Sequence, residues 1–350
     1  MTGDAQRNAA RDGGTGPSGA AEPGPKQTIC HDILGRNKAN RSAPAAPGQF
    51  RLGPPRPCSP EPLVFTPYAL DVQNRAVFEV GMPRVPAATP RAFFYLDQLE
   101  EAVAARRVPI ETYAARKSAT PAPRRVLIFG IGRTGSTLVS KILAAAGIAS
   151  ISEPDILLNL SQRRTMETLD LLDPAPWNRL YLACLDALEA AHGPAATLAI
   201  KFRAQSSNRF HIRRLRDLLP DAHFIFLFRG VEDWARSFTG KFDFQAETLK
   251  WLLTENLHAA EFLMNSGADL RILRYEDFVR DPQIVLDGLV EPADMVSVRP
   301  ALAQVMQADS QDGMFDIARP DSADAELSAF MEWWATARPS AQLDQLGLAL

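Results

Sequence analysis

At 350 residues, with 46% hydrophobic and 23% charged side chains, the chain has ordinary globular composition and room for one large domain or two small ones. A formal charge of -3 argues against holding nucleic acid by bulk electrostatics, which needs a basic domain. Three widely spaced cysteines, Cys30, Cys58 and Cys184, define neither a disulfide framework nor a CxxC metal site. They fit a reducing compartment, and without an apolar leader or a run of about 18 apolar residues the expectation is a soluble, cytoplasmic chain with no membrane partner.

Residues 1–60 hold 9 of the 27 prolines and 9 of the 21 glycines and show neither helical nor strand periodicity. Such a stretch buries too little apolar surface to offset its chain entropy, so a disordered tail is expected. Its 8 basic against 4 acidic residues read as solvated charge. From 61 to 118 aromatics become frequent (Phe65, Tyr68, Phe78, Phe93, Phe94, Tyr95), and AFFYLDQLEEAVAARR starts apolar and ends as an amphipathic helix pattern. This reads as an ordered extension packed on a main domain at 119–350, entered through the linker SATPAPRR.

In that domain short apolar runs recur at 125–130, 148–152, 197–202, 223–228 and 270–275, mostly separated by helical stretches. Gly147 is placed to cap the helix STLVSKILAAAG. Continuous apolar strands alternating with helices predict an α/β fold with a parallel central sheet covered on both faces.

In such a sheet ligands sit at the carboxyl ends of strands, and the strand-to-helix turn holds anions. The segment IFGIGRTGSTLVSKIL occupies that place: Gly130, Gly132 and Gly135 let the backbone turn its N–H groups inward, and Ser136 and Thr137 add hydroxyls at the helix start. The frame of the ATP and GTP loop GxxxxGK[ST] is present, but Ser136 stands where the lysine would be and the cation has moved to Arg133. A loop of this form suits a 5'-phosphosulfate, held by an arginine and hydroxyls without Mg²⁺.

Here the sequence resembles the PAPS-dependent sulfotransferase family, whose 5'-phosphosulfate loop has the form [KR]-[ST]-G-[ST]-T; Arg133, Thr134, Gly135, Ser136 and Thr137 match it in order. The family also carries an R-x-P-x-x-x-x-x-S segment at a strand end, with Arg and Ser on the 3'-phosphate of 3'-phosphoadenosine 5'-phosphosulfate (PAPS). In HFIFLFRGVEDWARSF, Arg229 and Ser237 have that spacing, and Val231 replaces the proline. A third segment, LRYEDFVRDP, is similar to the family's Y-E-D-L-x-x-D-P at Tyr275, Glu276, Asp277, Asp281 and Pro282. It reads as mainly structural, with Asp281-Pro282 starting a helix. The resemblance covers about residues 124–320 and implies a P-loop-like sulfotransferase fold, PAPS as co-substrate and no metal.

Sulfuryl transfer needs an acceptor aligned with sulfur, a base for its proton, and cations on the leaving phosphate. Arg133 is assigned the last role. Family members use His or Glu as base, and Glu153, just after the second strand, is the leading candidate; a helix N-terminal carboxylate is its structural alternative, a place Asp155 fills as well. Lys201 and Arg203, at the end of the third strand and on one face of it, read either as contacts to the sulfate or to an anionic acceptor, or as surface charge. None of the five histidines reads as a metal ligand.

Residues 309–320 read as a lid over the nucleotide. The basic R-K-G segment of cytosolic members has no counterpart except Arg319, and Leu138 stands where those members have an aromatic after the loop. The acceptor, expected to be a small metabolite or natural product, is not identified by the sequence. Two rival readings are a P-loop kinase, opposed by Ser136, and a non-catalytic nucleotide-binding protein of the same fold.

Overall fold

The computed structural model describes residues 28–37, 44–58, 62–84, 93–117, 122–240, 244–291, 294–307, 323–337 and 339–348. These residues form two five-stranded sheets. The first comprises β1 (Ile29–Arg36), β2 (Phe50–Pro57), β3 (Val64–Asp71), β4 (Ala76–Met82) and β5 (Ala104–Pro109), antiparallel in the order β2-β1-β5-β4-β3. The second comprises β6 (Arg124–Gly130), β7 (Ala149–Ser152), β8 (Thr197–Lys201), β9 (His223–Phe228) and β10 (Asp269–Arg274), parallel throughout in the order β10-β9-β6-β8-β7.

All five strands expected in the main domain are present. Their continuous apolar runs follow from burial on both faces. Leu127 and Phe129 join Phe224, Phe226 and Phe228 on one face, together with helices Pro174–His192, Arg209–Leu218 and Ala246–Asn265. Val126, Ile128, Ile225 and Leu227 face the other way, toward helices Ser136–Ala145 and Met295–Gln307. The helix Ser136–Ala145 stops where expected: Gly147 takes a φ of 77°, and the Ile148 N–H donates to the Leu143 carbonyl at 3.0 Å.

The N-terminal region departs from the sequence reading. Within residues 1–60, β1 and β2 form a paired hairpin. Its prolines (Pro54, Pro55, Pro57) sit in β2, the edge strand, which has one open side, and Pro54 falls where the pairing with β1 is irregular, between His31 and Ile33. Phe50 anchors the hairpin against the rings of Tyr68 and Phe78, with centroids 5.1 and 5.8 Å away. Composition averaged over the stretch conceals these few core residues.

Cys30 and Cys58 form a disulfide across the hairpin. This corrects the expectation that no disulfide could be drawn, and it removes the cysteine argument for a reducing, cytoplasmic compartment; Cys184 alone is free and buried. The end of AFFYLDQLEEAVAARR is likewise a strand. The helix covers only Phe94–Glu101, and in β5 Arg106 pairs with Glu79 and Arg107 with Asp71, each at 2.6 Å.

The first sheet docks through β3 onto the helices Asp155–Ser161 and Pro174–His192. Three donors cross the contact: the Leu70 N–H donates to Asn159 Oδ1 and the Ala45 N–H to Asp155 Oδ2, both at 2.7 Å, and Arg75 Nη1 donates to the Leu169 carbonyl at 2.9 Å. Among the described residues no helix is long and apolar enough to cross a membrane. Closing a 28-residue separation, the disulfide is worth about 3.6 kcal/mol. The double substitution Cys30→Ser/Cys58→Ser is expected to lower unfolding free energy by about that amount in urea titration, and non-reducing peptide mapping of the parent should recover the linked pair.

Candidate active site

Because β6 to β10 run parallel, their C-terminal ends share one edge, and Gly130, Ser152, Lys201, Phe228 and Arg274 close the five strands there. A cavity of about 120 Å³ opens at this edge, lined by Arg133, Ser136, Thr137, Glu153, Lys201 and Arg203 among others.

The candidate phosphate loop is folded by its backbone angles. Gly132 and Gly135 have φ of 75° and 77°, and a Cβ on either would come within 2.8 Å of a ring, that of Phe238 or of Tyr275. Arg133 between them also has a positive φ, 52°, which costs a non-glycine residue of order 1 kcal/mol and is held by the surrounding structure. Part of that hold is the Trp234 indole N–H, which donates to the Gly132 carbonyl at 3.0 Å.

The two segments singled out in the sequence meet directly. Arg133 Nε donates to Ser237 Oγ at 3.1 Å, and Arg229 Nη1 donates to the Arg133 carbonyl at 3.4 Å. Burial, and then the neighbouring Arg229 cation, pull the Arg133 guanidinium below its ordinary pKa. The Arg229 guanidinium lies 4.6 Å from the Tyr275 ring centroid, and its buried Nε has no hydrogen-bond partner among the described residues. Two close guanidiniums and an unsatisfied buried donor suit an anion.

The YED segment does more than start a helix. Besides the Tyr275 stack, Glu276 Oε1 accepts from the Gly230 N–H at 2.9 Å and so fixes the turn that follows Arg229. Its position directly after β10, on the ligand edge, was the signal in the sequence. Thr134 differs from its loop neighbours: it is buried under the loop, away from the cavity lining, and its hydroxyl has no partner among the described residues.

Glu153 follows β7 with φ of 54°, a left-handed backbone that aims its carboxylate across the edge. Its Oε1 lies 2.5 Å from Lys201 Nζ and its Oε2 3.3 Å from Arg203 Nε, so the two basic residues expected on one face of β8 do converge. Lys201 Nζ also donates to Thr137 Oγ1 at 3.2 Å, which ties the cluster to the phosphate loop. Burial drives the Lys201 ammonium below its ordinary pKa, opposed by the Glu153 charge.

Asp155 is fully buried, 3.0 Å from Arg203, and burial pushes its carboxyl up to about 7 against the pull of that cation. It is therefore a structural partner of Arg203 and of the Ala45 N–H.

The sequence marked Phe93 and Tyr95 only as aromatics of the N-terminal extension, and from there they enter the cavity wall. The Lys201 ammonium lies 5.1 Å from the Phe93 centroid, and the Arg203 guanidinium sits 4.2 Å from that of Tyr95. The histidines stay outside. His211, with its pKa lowered to about 4 by burial, bridges the Ser206 carbonyl and the Tyr181 hydroxyl, His31 contacts the Gly53 carbonyl in the hairpin, and His223 pairs with Asp269.

Among the described residues no group of His, Cys, Asp or Glu could hold a metal ion. The lid expected at 309–320, with Arg319, lies outside the described residues. Replacing Gly135 by Ala should place Cβ 2.7 Å from the Tyr275 ring and 2.8 Å from that of Phe278. Overpacking of this kind is expected to cost about 2 kcal/mol in urea unfolding, while Gly147→Ala, with open space at Cβ, should cost clearly less.

Residues 123–296 match the model of the sulfotransferase family. No curated protein sequence matches the chain. Solved structures with a similar fold include the sulfotransferase STF9 from Mycobacterium avium, 15% identical over 66% of this chain and 79% of that one, with a TM-score of 0.41. The sulfotransferase domain from the curacin biosynthetic pathway is 19% identical over 66% of this chain and 100% of that one, with a TM-score of 0.40. Retinol dehydratase in complex with androsterone and the inactive cofactor PAP is 12% identical over 83% of this chain and 98% of that one, with a TM-score of 0.33. The family match spans the phosphate loop, Glu153, Lys201 and the Arg229 to Ser237 segment, and the chain belongs to the sulfotransferase family.

Proposed function

We propose that this sulfotransferase draws its sulfuryl group from PAPS and passes it to a hydroxyl or amine of a small-molecule acceptor, a metabolite or natural product. The observation that carries the reading is the Arg133 to Ser237 hydrogen bond, which joins a 5'-phosphosulfate loop to a 3'-phosphate segment 104 residues away. A nucleotide with phosphate at both ends of its ribose matches that pairing, and one with a 5'-phosphate chain alone leaves Arg229 and Ser237 unused.

In this reading the N–H groups of Thr134, Gly135, Ser136 and Thr137, with the Ser136 and Thr137 hydroxyls, cradle the 5' end. Arg229 and Ser237 hold the 3'-phosphate. Glu153 takes the proton from the acceptor as its oxygen or nitrogen bonds to sulfur, and the bond from sulfur to the bridging oxygen breaks. Arg133 and Lys201 meet the charge that develops on that bridging oxygen, and adenosine 3',5'-bisphosphate leaves. Phe93 and Tyr95 bring the extension at 61–118 into the acceptor wall of the transferase domain at 119–350.

Three outcomes follow. Glu153→Gln should lower kcat about 100-fold or more in a radiolabelled sulfuryl-transfer assay, with bisphosphate affinity unchanged by calorimetry. Arg229→Ala should weaken adenosine 3',5'-bisphosphate binding about tenfold or more, the loss of charge-assisted hydrogen bonds. Bisphosphate binding should be indifferent to a chelator; tight ATP-Mg²⁺ binding with none of the bisphosphate would instead sustain a kinase.

A further inference from the structure

Beside the active-site cavity lies a second, larger groove of about 650 Å³. Five arginines line it, Arg163, Arg164, Arg209, Arg213 and Arg214, against one carboxylate, Glu255. In a chain whose formal charge is -3 this is a marked local excess of positive charge. The arginines come from two helices, Arg163–Thr168 and Arg209–Leu218, and Trp251 of a third, Ala246–Asn265, is 49% exposed on the same wall.

The groove's cations are incompletely matched. Arg209 pairs with the half-buried Glu255 at 2.7 Å, and Arg163 pairs with Glu167 at 2.9 Å, an exposed pair that a ligand anion can replace. Arg164 has no carboxylate partner among the described residues. Arg213 lies 5.2 Å from the Phe262 ring centroid. Arg214 stacks on Phe210 and Trp177 and gives Nη2 to the Leu172 carbonyl, yet its buried Nη1 has no partner among the described residues.

A single layer separates the groove from the reacting groups. Gln205 lines the cavity, and its carbonyl accepts from Asn208 Nδ2 at 2.9 Å and Gln162 Nε2 at 3.5 Å, two residues of the groove wall. Leu252 faces the cavity and its neighbour Trp251 the groove. We infer that the groove is an acceptor subsite that holds oxyanion groups, carboxylate, sulfate or phosphate, carried by the acceptor at a distance from the reacting hydroxyl or amine. Guanidiniums grip such groups bidentately, and the Trp251 ring offers a face for a flat or sugar-like ring between them. The inference rests on the transferase reading and narrows its acceptor to an anionic one.

The test has two arms, both on the full chain saturated with adenosine 3',5'-bisphosphate or supplied with PAPS. In the first, the parent, Arg164→Ala/Arg213→Ala and the surface control Arg280→Ala/Arg299→Ala are eluted by salt from immobilised heparin, used as a polyanion probe. The groove variant should elute at clearly lower salt than the control; equal elution of the two would overturn the groove as an anion site. In the second, matched aryl glucuronides and aryl glucosides are compared as acceptors. The carboxylated member should be favoured at least tenfold in kcat/KM, and that ratio should collapse in the groove variant. A preference for the neutral member, or one that survives in the variant, overturns the acceptor assignment. Absence of all transfer alongside intact bisphosphate binding would sink the transferase reading itself, while the elution arm still judges the groove.

Discussion

A buried ammonium must have a carboxylate within reach, and the site is organised around that requirement at Lys201. The residue is 2% exposed at the end of β8, where an unpaired charge would cost several kcal/mol. Glu153 meets the need from the neighbouring strand end and adds a second tie, its N–H donating to the Lys201 carbonyl at 2.7 Å. Both bonds form with Glu153 in a left-handed backbone. The carboxylate stands at the ligand edge with its orientation fixed by two cations.

The same electrostatics reach outward in both directions. Through Thr137 Lys201 is joined to the start of the phosphate-loop helix, and through Glu153 to Arg203, Asp155 and the Ala45 backbone. The N-terminal sheet is thus attached to the charged centre of the site as well as to the apolar helices beneath it. Phe93 and Tyr95, at the start of the helix Phe94–Glu101, complete the cavity by covering the two cations, a placement that shields the charges from water and strengthens each interaction among them.

The parallel sheet was legible because burial on both faces writes itself as unbroken apolar runs, HFIFLF in β9 above all, every residue of which is buried. The tight turn between β6 and the helix Ser136–Ala145 was legible because only glycine relieves the contacts at 132 and 135, so the spacing of glycines records the fold. The antiparallel sheet was hidden for the converse reason. An edge strand tolerates proline, and a hairpin anchored by Phe50 and one cystine keeps the composition of a tail. The cavity wall at Phe93 and Tyr95 and the arginine groove depend on segments distant in sequence converging in space, and no local pattern encodes that.

The docking of the first sheet has an evolutionary consequence. Two of its hydrogen bonds use main-chain donors at Ala45 and Leu70, with Asp155 and Asn159 as the acceptors in the other half, and a third runs from the Arg75 side chain to the Leu169 carbonyl. Any residue that fits sterically keeps those donors, proline alone excepted. The accessory sheet is therefore free to drift in sequence while staying seated, and the wall it lends to the site can be remodelled through residues such as Phe93 and Tyr95 without rebuilding the joint. A transferase constructed in this way can change the molecules it accepts faster than it changes its chemistry.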